Sequence, residues 1–190
     1  DGSIFIGYGA GNAVTTAQAS TVVGFEALNV MTAGGLYNTA IGYRAMVSAN
    51  HGDFSRNTAV GYLSLSSTGT NLVNNTTAIG NEAGSAVTTG TDNTLVGSYA
   101  GDTIQTGGNN ICIGGASDVA AEDTNYGVAI GTAVVAGGNN IRLGKSTEYV
   151  YTDNDNLNWQ QTSDERKKRN IQDCNLGLDF INDLRTVTFQ

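Results

Sequence analysis

The sequence predicts an all-β protein: a repetitive β-solenoid or β-roll shaft, expected as an intertwined homotrimer, followed by the beginning of a small α/β module. Three observations carry this expectation. A short β-type triplet closed by glycine recurs along the chain. Proline is absent from 190 residues in which glycine supplies 26. Charged residues make up only 14% of the chain, yet they gather in one unbroken row near its C-terminus.

The repeat comes first, because a missed internal period misassigns the whole fold. The segments SIFIGYGA, STVVGFEA, NTAIGYRA, NTAVGYLS, TTAIGNEA, NTLVGSYA, NICIGGAS, GVAIGTAV and NIRLG share the triplet. Their closing glycines are Gly7, Gly24, Gly42, Gly61, Gly80, Gly97, Gly114, Gly131 and Gly144, at successive spacings of 17, 18, 19, 19, 17, 17, 17 and 13 residues. Such a period is too short for a βαβ unit, which needs about 30 residues. It suits one coil of a β-solenoid, and nine coils at the strand spacing of ~4.8 Å give a shaft roughly 40 Å long.

Within a triplet, Thr39 and Ile41 point one way and Ala40 the other. Both directions are apolar or small, whereas a strand with one solvated face alternates with charge. The triplets are therefore expected to be buried on both faces. The coil's own interior accounts for one face and neighbouring chains for the other, with the small middle residues Ala40, Ala59, Ala78 and Ala129 letting three backbones approach closely.

The punctuation has its own chemistry. Asn38, Asn57, Asn93, Asn110 and Asn140 stand four places before the closing glycine, where an Asn side chain bonds its own backbone and stacks on the Asn of the next coil. The glycine supplies positive φ or a close backbone approach. A chain without proline lets every coil donate to its neighbour's ladder. Segments such as VTTAQAS, SSTGTNLVNN and AVTTGTD are read as returning strand and outer loop, and variable loops on a regular shaft are natural contact points for a partner.

The units NTAIGYRA and NTAVGYLS resemble the NSVAIG-type repeats of trimeric adhesin heads and of some phage tail fibres. That resemblance covers residues 1 to 144 and implies three chains wound into a β-roll or interlaced β-helix.

Other functions are disfavoured by composition. Up to Thr162, twelve acids face only Arg44, Arg56, Arg142 and Lys145; beyond it five acids meet five bases, so the net charge of -8 lies on the shaft. An acidic shaft repels phosphate, and no nucleic-acid partner is expected. No apolar run reaches the ~18 to 20 residues that span a bilayer as a helix, so the chain is not expected to be membrane-embedded. Starting at Asp1 without methionine, it is expected to be a piece of a longer protein.

Cys112 and Cys174 are too few and too distant for a disulfide framework or a zinc site, and inert thiols are expected. The lone His51 reads as a loop residue. The lone Trp159 reads as packing in a neck that spans residues 145 to 162. Arg142 takes a triplet's middle place, which suggests that burial of that face ends there. Glycine clusters such as GYGAG lack the lysine and the strand-to-helix setting of a phosphate cradle. Glu122 with Asp123, or Asp153 with Asp155, read as solvated loops rather than as calcium ligands or glycosidase carboxylates. No cofactor and no metal is expected.

The charged row lies in SDERKKRNI, after which NLGLDFINDL places Leu178, Ile181 and Leu184 at helical spacing with Asn175 as cap, and TVTFQ is strand-like. Residues 163 to 190 thus open a mixed module. Ser163 and Lys168 offer a nucleophile and a base, the latter usable if Arg166 and Lys167 depress its pKa.

SDERKKRNI, with GLDFINDLR and TVTF, resembles the start of the endosialidase-type intramolecular chaperone at the C-termini of phage tailspikes and tail fibres. The resemblance implies that this module trimerises the shaft and then cuts itself off between Thr162 and Ser163. Ser163 would be the nucleophile and Lys168 its partner, with Asp164 and Arg166 at the other motif places; Lys167 stands where leucine is frequent. The expected function is that of a structural phage protein attaching to a host-surface receptor, a glycan or an outer-membrane protein, from the extracellular tail of the virion. The shaft itself is expected to be adhesive rather than enzymatic. The alternatives are a trimeric adhesin on a bacterial surface and, third, a polysaccharide-degrading tailspike.

Overall fold

The computed structural model describes residues 2–14, 19–31, 35–50, 53–68, 72–153 and 156–161. For residues 153 and 156–161 only the backbone is described. The fold is the expected solenoid: all-β, with no helix among the described residues.

The triplets form β1 (Ile4–Ile6), β2 (Thr21–Val23), β3 (Thr39–Ile41), β4 (Thr58–Val60), β5 (Thr77–Ile79), β6 (Thr94–Val96) and β7 (Ile111–Ile113). Two two-residue strands, β8 (Asp118–Val119) and β10 (Val135–Ala136), interleave with the longer rungs β9 (Val128–Thr132) and β11 (Ile141–Lys145). Strands β1 to β7, β9 and β11 stack in parallel as one ladder of about eight turns. Like residues stack on like: Thr39 pairs with Thr58 and that with Thr77, while Ala40 pairs with Ala59 and that with Ala78. After Lys145 the direction reverses, and β12 (Glu148–Asp153) and β13 (Asn156–Gln161) continue the sheet antiparallel.

Each coil encloses its own core. The middle residues Val22, Ala40, Ala59, Ala78, Leu95, Cys112 and Ala129 are fully buried. They meet Leu28, Met46, Phe54, Leu65, Val87 and Ile104 from the rest of the coil within one continuous apolar cluster. This corrects the expectation that small middle residues admit neighbouring chains: Ala40, Ala59, Ala78 and Ala129 face their own coil's interior.

The interior is filled by exchange of volume. Four places after the closing glycine stand Leu28, Met46 and Leu65, and in those coils the strand contributes Val or Ala. The same place is Gly84 and Gly101 around the coil whose strand contributes Leu95. A Cβ added at Gly84 would lie 2.7 Å from Leu95 Cδ1.

The return path differs from the expected strand. Apart from β8 and β10, the described residues between triplets are turns, with left-handed backbone at residues that are not glycine. Glu26, Arg44, Leu63, Glu82, Tyr99, Ala116 and Ala133, each two places after a closing glycine, have φ between 49° and 57°. Tyr37, Arg56, Asp92, Asn109 and Tyr126 repeat the device one place before the Asn or glycine that precedes a strand, with φ between 58° and 60°. These corners bend the chain around a narrow core without a regular second sheet.

The closing glycines themselves form a column. Gly61 has φ 139°, and a Cβ there would collide with the Gly80 carbonyl, 2.7 Å from its carbon. Only glycine suits this double demand of positive φ and backbone contact.

The asparagines bond forward rather than to their own backbone. Asn57 Oδ1 accepts from the Thr76 N–H at 3.0 Å, and Asn57 Nδ2 donates to the Val73 carbonyl at 2.7 Å, both on the next coil. Asn38, Asn93 and Asn110 do the same. Ser20 and Thr76 stand in the same column and accept from the Asn38 and Asn93 N–H groups.

Candidate interaction surface

With middle residues turned inward, the first and third residues of every triplet face outward. The first column runs Ile4, Thr21, Thr39, Thr58, Thr77, Thr94, Ile111, Val128 and Ile141; the third runs Ile6, Val23, Ile41, Val60, Ile79, Val96, Ile113, Ile130 and Leu143. Neither column holds a charged residue. Ile41, Ile79, Ile113 and Ile130 keep 36–40% of their surface exposed. They lie well inside the ladder, so their exposure is a property of the whole face and not of an open end.

Across the glycine column runs an aromatic ladder at the first residue after each of the first four closing glycines. Tyr8, Phe25, Tyr43 and Tyr62 stack with ring centroids 5.3–5.4 Å apart and planes within 18° of parallel. This spacing follows from the rungs beneath them. Stacked in this way, the rings turn their edges rather than their faces to solvent.

Charge begins only at the next residue. Arg44 pairs with Glu26 at 2.6 Å and lies over the Tyr43 ring at 5.5 Å. The Glu26 partnership raises the Arg44 pKa further and fixes its charge. Tyr99 Oη donates to Glu82 at 3.4 Å in the same column. The surface is therefore ordered by distance from the sheet: threonine and aliphatic columns, glycine, aromatic edges, then charge.

At the C-terminal end, Arg142 takes the middle place of the triplet that opens β11 but remains half-buried. Its Nη1 donates to the Val135 carbonyl at 2.6 Å, and its guanidinium sits 4.9 Å from the Tyr149 ring centre. The apolar core ends against this group. Inside the shaft, burial pushes the Cys112 thiol up to about 12, aided by Asp118 and Asp102, so it is an inert thiol as expected.

Ser163, Asp164, Arg166 and Lys168, with the bond after Thr162, lie outside the described residues, as do His51, Asp155, Cys174 and the Leu178, Ile181 and Leu184 set. Trp159 falls on β13, where the backbone alone is described. Glu122 and Asp123 are exposed in a turn before β9. Among the described residues no group of three potential ligands assembles around a metal position. No described helix is long and apolar enough to cross a membrane.

What the sequence reading missed is which side of the triplet faces out. The signal was present in side-chain size, since Ile or Val occupies the third place wherever Ala40, Ala59, Ala78 and Ala129 stand in the middle. Comparison with family models, with curated proteins and with solved structures finds no match to the chain.

Proposed function

We propose that this chain is a segment of a phage tail fibre or tailspike: a homotrimeric shaft for attachment to a host-surface receptor, followed by a chaperone that removes itself between Thr162 and Ser163. The observation that carries assembly is the uncharged Thr and Ile/Val face. Copies that each carry a net charge of -8 repel one another, and contact along a face without charge keeps that repulsion at the periphery. Burying the exposed halves of the Ile column also gives a non-directional apolar gain, about 25 cal/mol per Å². On this reading the outer loops and corners remain free for a glycan or an outer-membrane protein, and the shaft works outside the cell as part of a virion.

Self-cleavage rests on the string SDERKKRNI. Ser163 Oγ would attack the Thr162 carbonyl carbon while Lys168 takes the hydroxyl proton. The amide nitrogen leaves protonated, and water then hydrolyses the ester that links the two parts.

Sedimentation of the chain with its full C-terminal module tests the assembly. Three copies are expected for the parent. Ile79→Asp combined with Ile113→Asp should shift the shaft to monomer with its far-UV spectrum kept. A parent shaft that sediments as a stable monomer refutes the assembly. For self-cleavage, Ser163→Ala should leave one uncut band on a denaturing gel; the same two fragments in mutant and parent would overturn it.

A further inference from the structure

The corner that leads into each strand carries a row of side chains that the core does not use. Tyr37, Arg56, Asn75, Asp92, Asn109 and Tyr126 each stand one place before the column that holds Asn57 and Thr76, and every one of them is exposed. Their backbones are in register. Each N–H from Arg56 onward donates, at 3.0–3.3 Å, to the carbonyl that precedes the corner of the coil before it, beginning with Arg56 to Leu36 and ending with Tyr126 to Gly108. The corners therefore rise one rung at a time, ~4.8 Å each, and the row from Tyr37 to Tyr126 is about 24 Å long.

The turn does not account for the residues that occupy it. All six have φ between 55° and 60°, which asparagine and aspartate adopt readily and which costs tyrosine and arginine backbone energy. Partners within the shaft do not account for them either. In the other left-handed column Arg44 is held by Glu26 and Tyr99 by Glu82, whereas among the described residues the Arg56 guanidinium forms no ion pair and no hydrogen bond. Tyr37 and Tyr126 keep 57% and 58% of their surface exposed, and no other described ring lies against them, unlike the stacked rings of Tyr43 and Tyr62. Asn75 Nδ2 donates to Asp92 Oδ1 at 3.0 Å, which fixes two planar side chains across neighbouring coils and leaves Asn75 Oδ1 and Asp92 Oδ2 as acceptors.

We propose that this row binds a neutral linear polysaccharide laid along the shaft, with Tyr37 and Tyr126 as platforms at its two ends and Arg56, Asn75, Asp92 and Asn109 bonding sugar hydroxyls between them. The inference rests on the reading of the shaft as an attachment element, and it is independent of the number of chains and of the cleavage.

The chemistry of the row selects this partner. Guanidinium, amide and carboxylate groups are planar and offer paired donors or acceptors to neighbouring hydroxyls, and the negative face of a tyrosine ring attracts the weakly positive C–H face of a pyranose. A protein partner needs a contiguous apolar centre, and no aliphatic side chain stands in the row. Arg56 and Asp92 cancel, so the row has no net charge, while the chain's charge of -8 repels a polyanion. Each contact is exposed and weak by itself, so binding grows with the number of sugars until both tyrosines are reached.

Chemical-shift titration of the isotope-labelled full chain with maltohexaose, laminarihexaose and mannohexaose, each up to about 10 mM, tests the inference. With at least one of the three, the shifted amides should gather along the row from Tyr37 to Tyr126, and the corresponding disaccharide should bind ~10-fold or more weakly. Tyr126→Ala should weaken binding about 10-fold and Tyr126→Phe, which keeps the ring, should not. Hexagalacturonate, an acidic counterpart, should bind more weakly than the neutral sugars. No shifts with any of the three, an unchanged affinity in Tyr126→Ala, or tighter binding of hexagalacturonate overturns the proposal. Shifts gathered elsewhere on the shaft also overturn it while keeping attachment to a glycan; shifts along the row of a shaft that sediments as a monomer uphold it and remove the trimer.

Discussion

Replacing Asn57 by Ala isolates what the buried asparagine column contributes. The side chain is fully buried and makes two bonds to the next coil, accepting from the Thr76 N–H at 3.0 Å and donating to the Val73 carbonyl at 2.7 Å. Alanine leaves both backbone groups buried without partners, at about 1–3 kcal/mol each, so Asn57→Ala should cost about 3 kcal/mol. Threonine provides an internal control, because Thr76 already occupies this column and accepts from the Asn93 N–H at 3.5 Å. Asn57→Thr should therefore keep the acceptor, lose only the donor and cost about half as much. In a solenoid each coil touches only its neighbours, so the loss should be concentrated at the junction of the β4 and β5 coils. Urea titration gives the total, and exchange at the Thr76 amide gives the local part. If the two variants are equally stable, or if Asn57→Ala costs less than ~1 kcal/mol, the column is not held by these bonds and the reasoning fails.

Gly61→Ala should prevent normal folding or cost at least ~3 kcal/mol, since the added Cβ meets the backbone of Gly80 and not a movable side chain; thermal melting measures it. Ala116→Gly relaxes an exposed left-handed corner at φ 51° and should raise stability by up to ~1 kcal/mol in urea titration. Leu95→Ala empties the space above Gly84 and Gly101 and should cost about 3 kcal/mol. Adding Gly101→Leu to that variant recreates the Ala59 and Leu65 arrangement of an earlier coil and should recover much of the loss, although Gly101→Leu alone collides with Leu95; a double-mutant cycle reads the coupling.

Much of the architecture was legible because the repeat imposes identical physics on every coil. The triplet and its closing glycine located each rung of the ladder, and the fixed place of the asparagines marked them as structural. The direction of the triplet was not legible from polarity, because period-two reasoning needs one polar face and Thr39-Ala40-Ile41 offers none. The decision lies in volume: Met46 and Leu65 fill the coil from the opposite side, leaving the strand room for alanine and sending isoleucine out. The left-handed corners were hidden for another reason. Leu63, Glu82 and Tyr99 have no preference for positive φ, and the narrow turn around the core imposes it on them. The outward face was written in the same triplets, but its exposure depends on that inward choice. The proposed cleavage residues, Ser163 and Lys168, rest on the motif string alone.

The separation of apolar and charged columns follows from one constraint. A parallel ladder places each residue type directly above itself at ~4.8 Å, so a charge at any outward triplet position would recur along the whole shaft or face an uncharged neighbour. A column of like charges at that spacing is destabilising at every rung. The charged residues accordingly stand at corners, where the sign varies from coil to coil: Glu26 pairs with Arg44 on the next coil, while Leu63 and then Glu82 follow in the same place. The strands are left to Thr, Ile and Val, and the outward face becomes apolar as a consequence of ladder stability. That same freedom from charge suits the face to a second copy of the chain. Exchanging Thr58 and Thr77 together for Lys tests the intramolecular half of this account: the paired lysines sit on adjacent rungs, and their cost should diminish as salt is raised from 0.01 to 1 M, where screening shortens from ~30 Å to ~3 Å. A cost independent of salt would show that lost packing, not repulsion, keeps charge off the rungs.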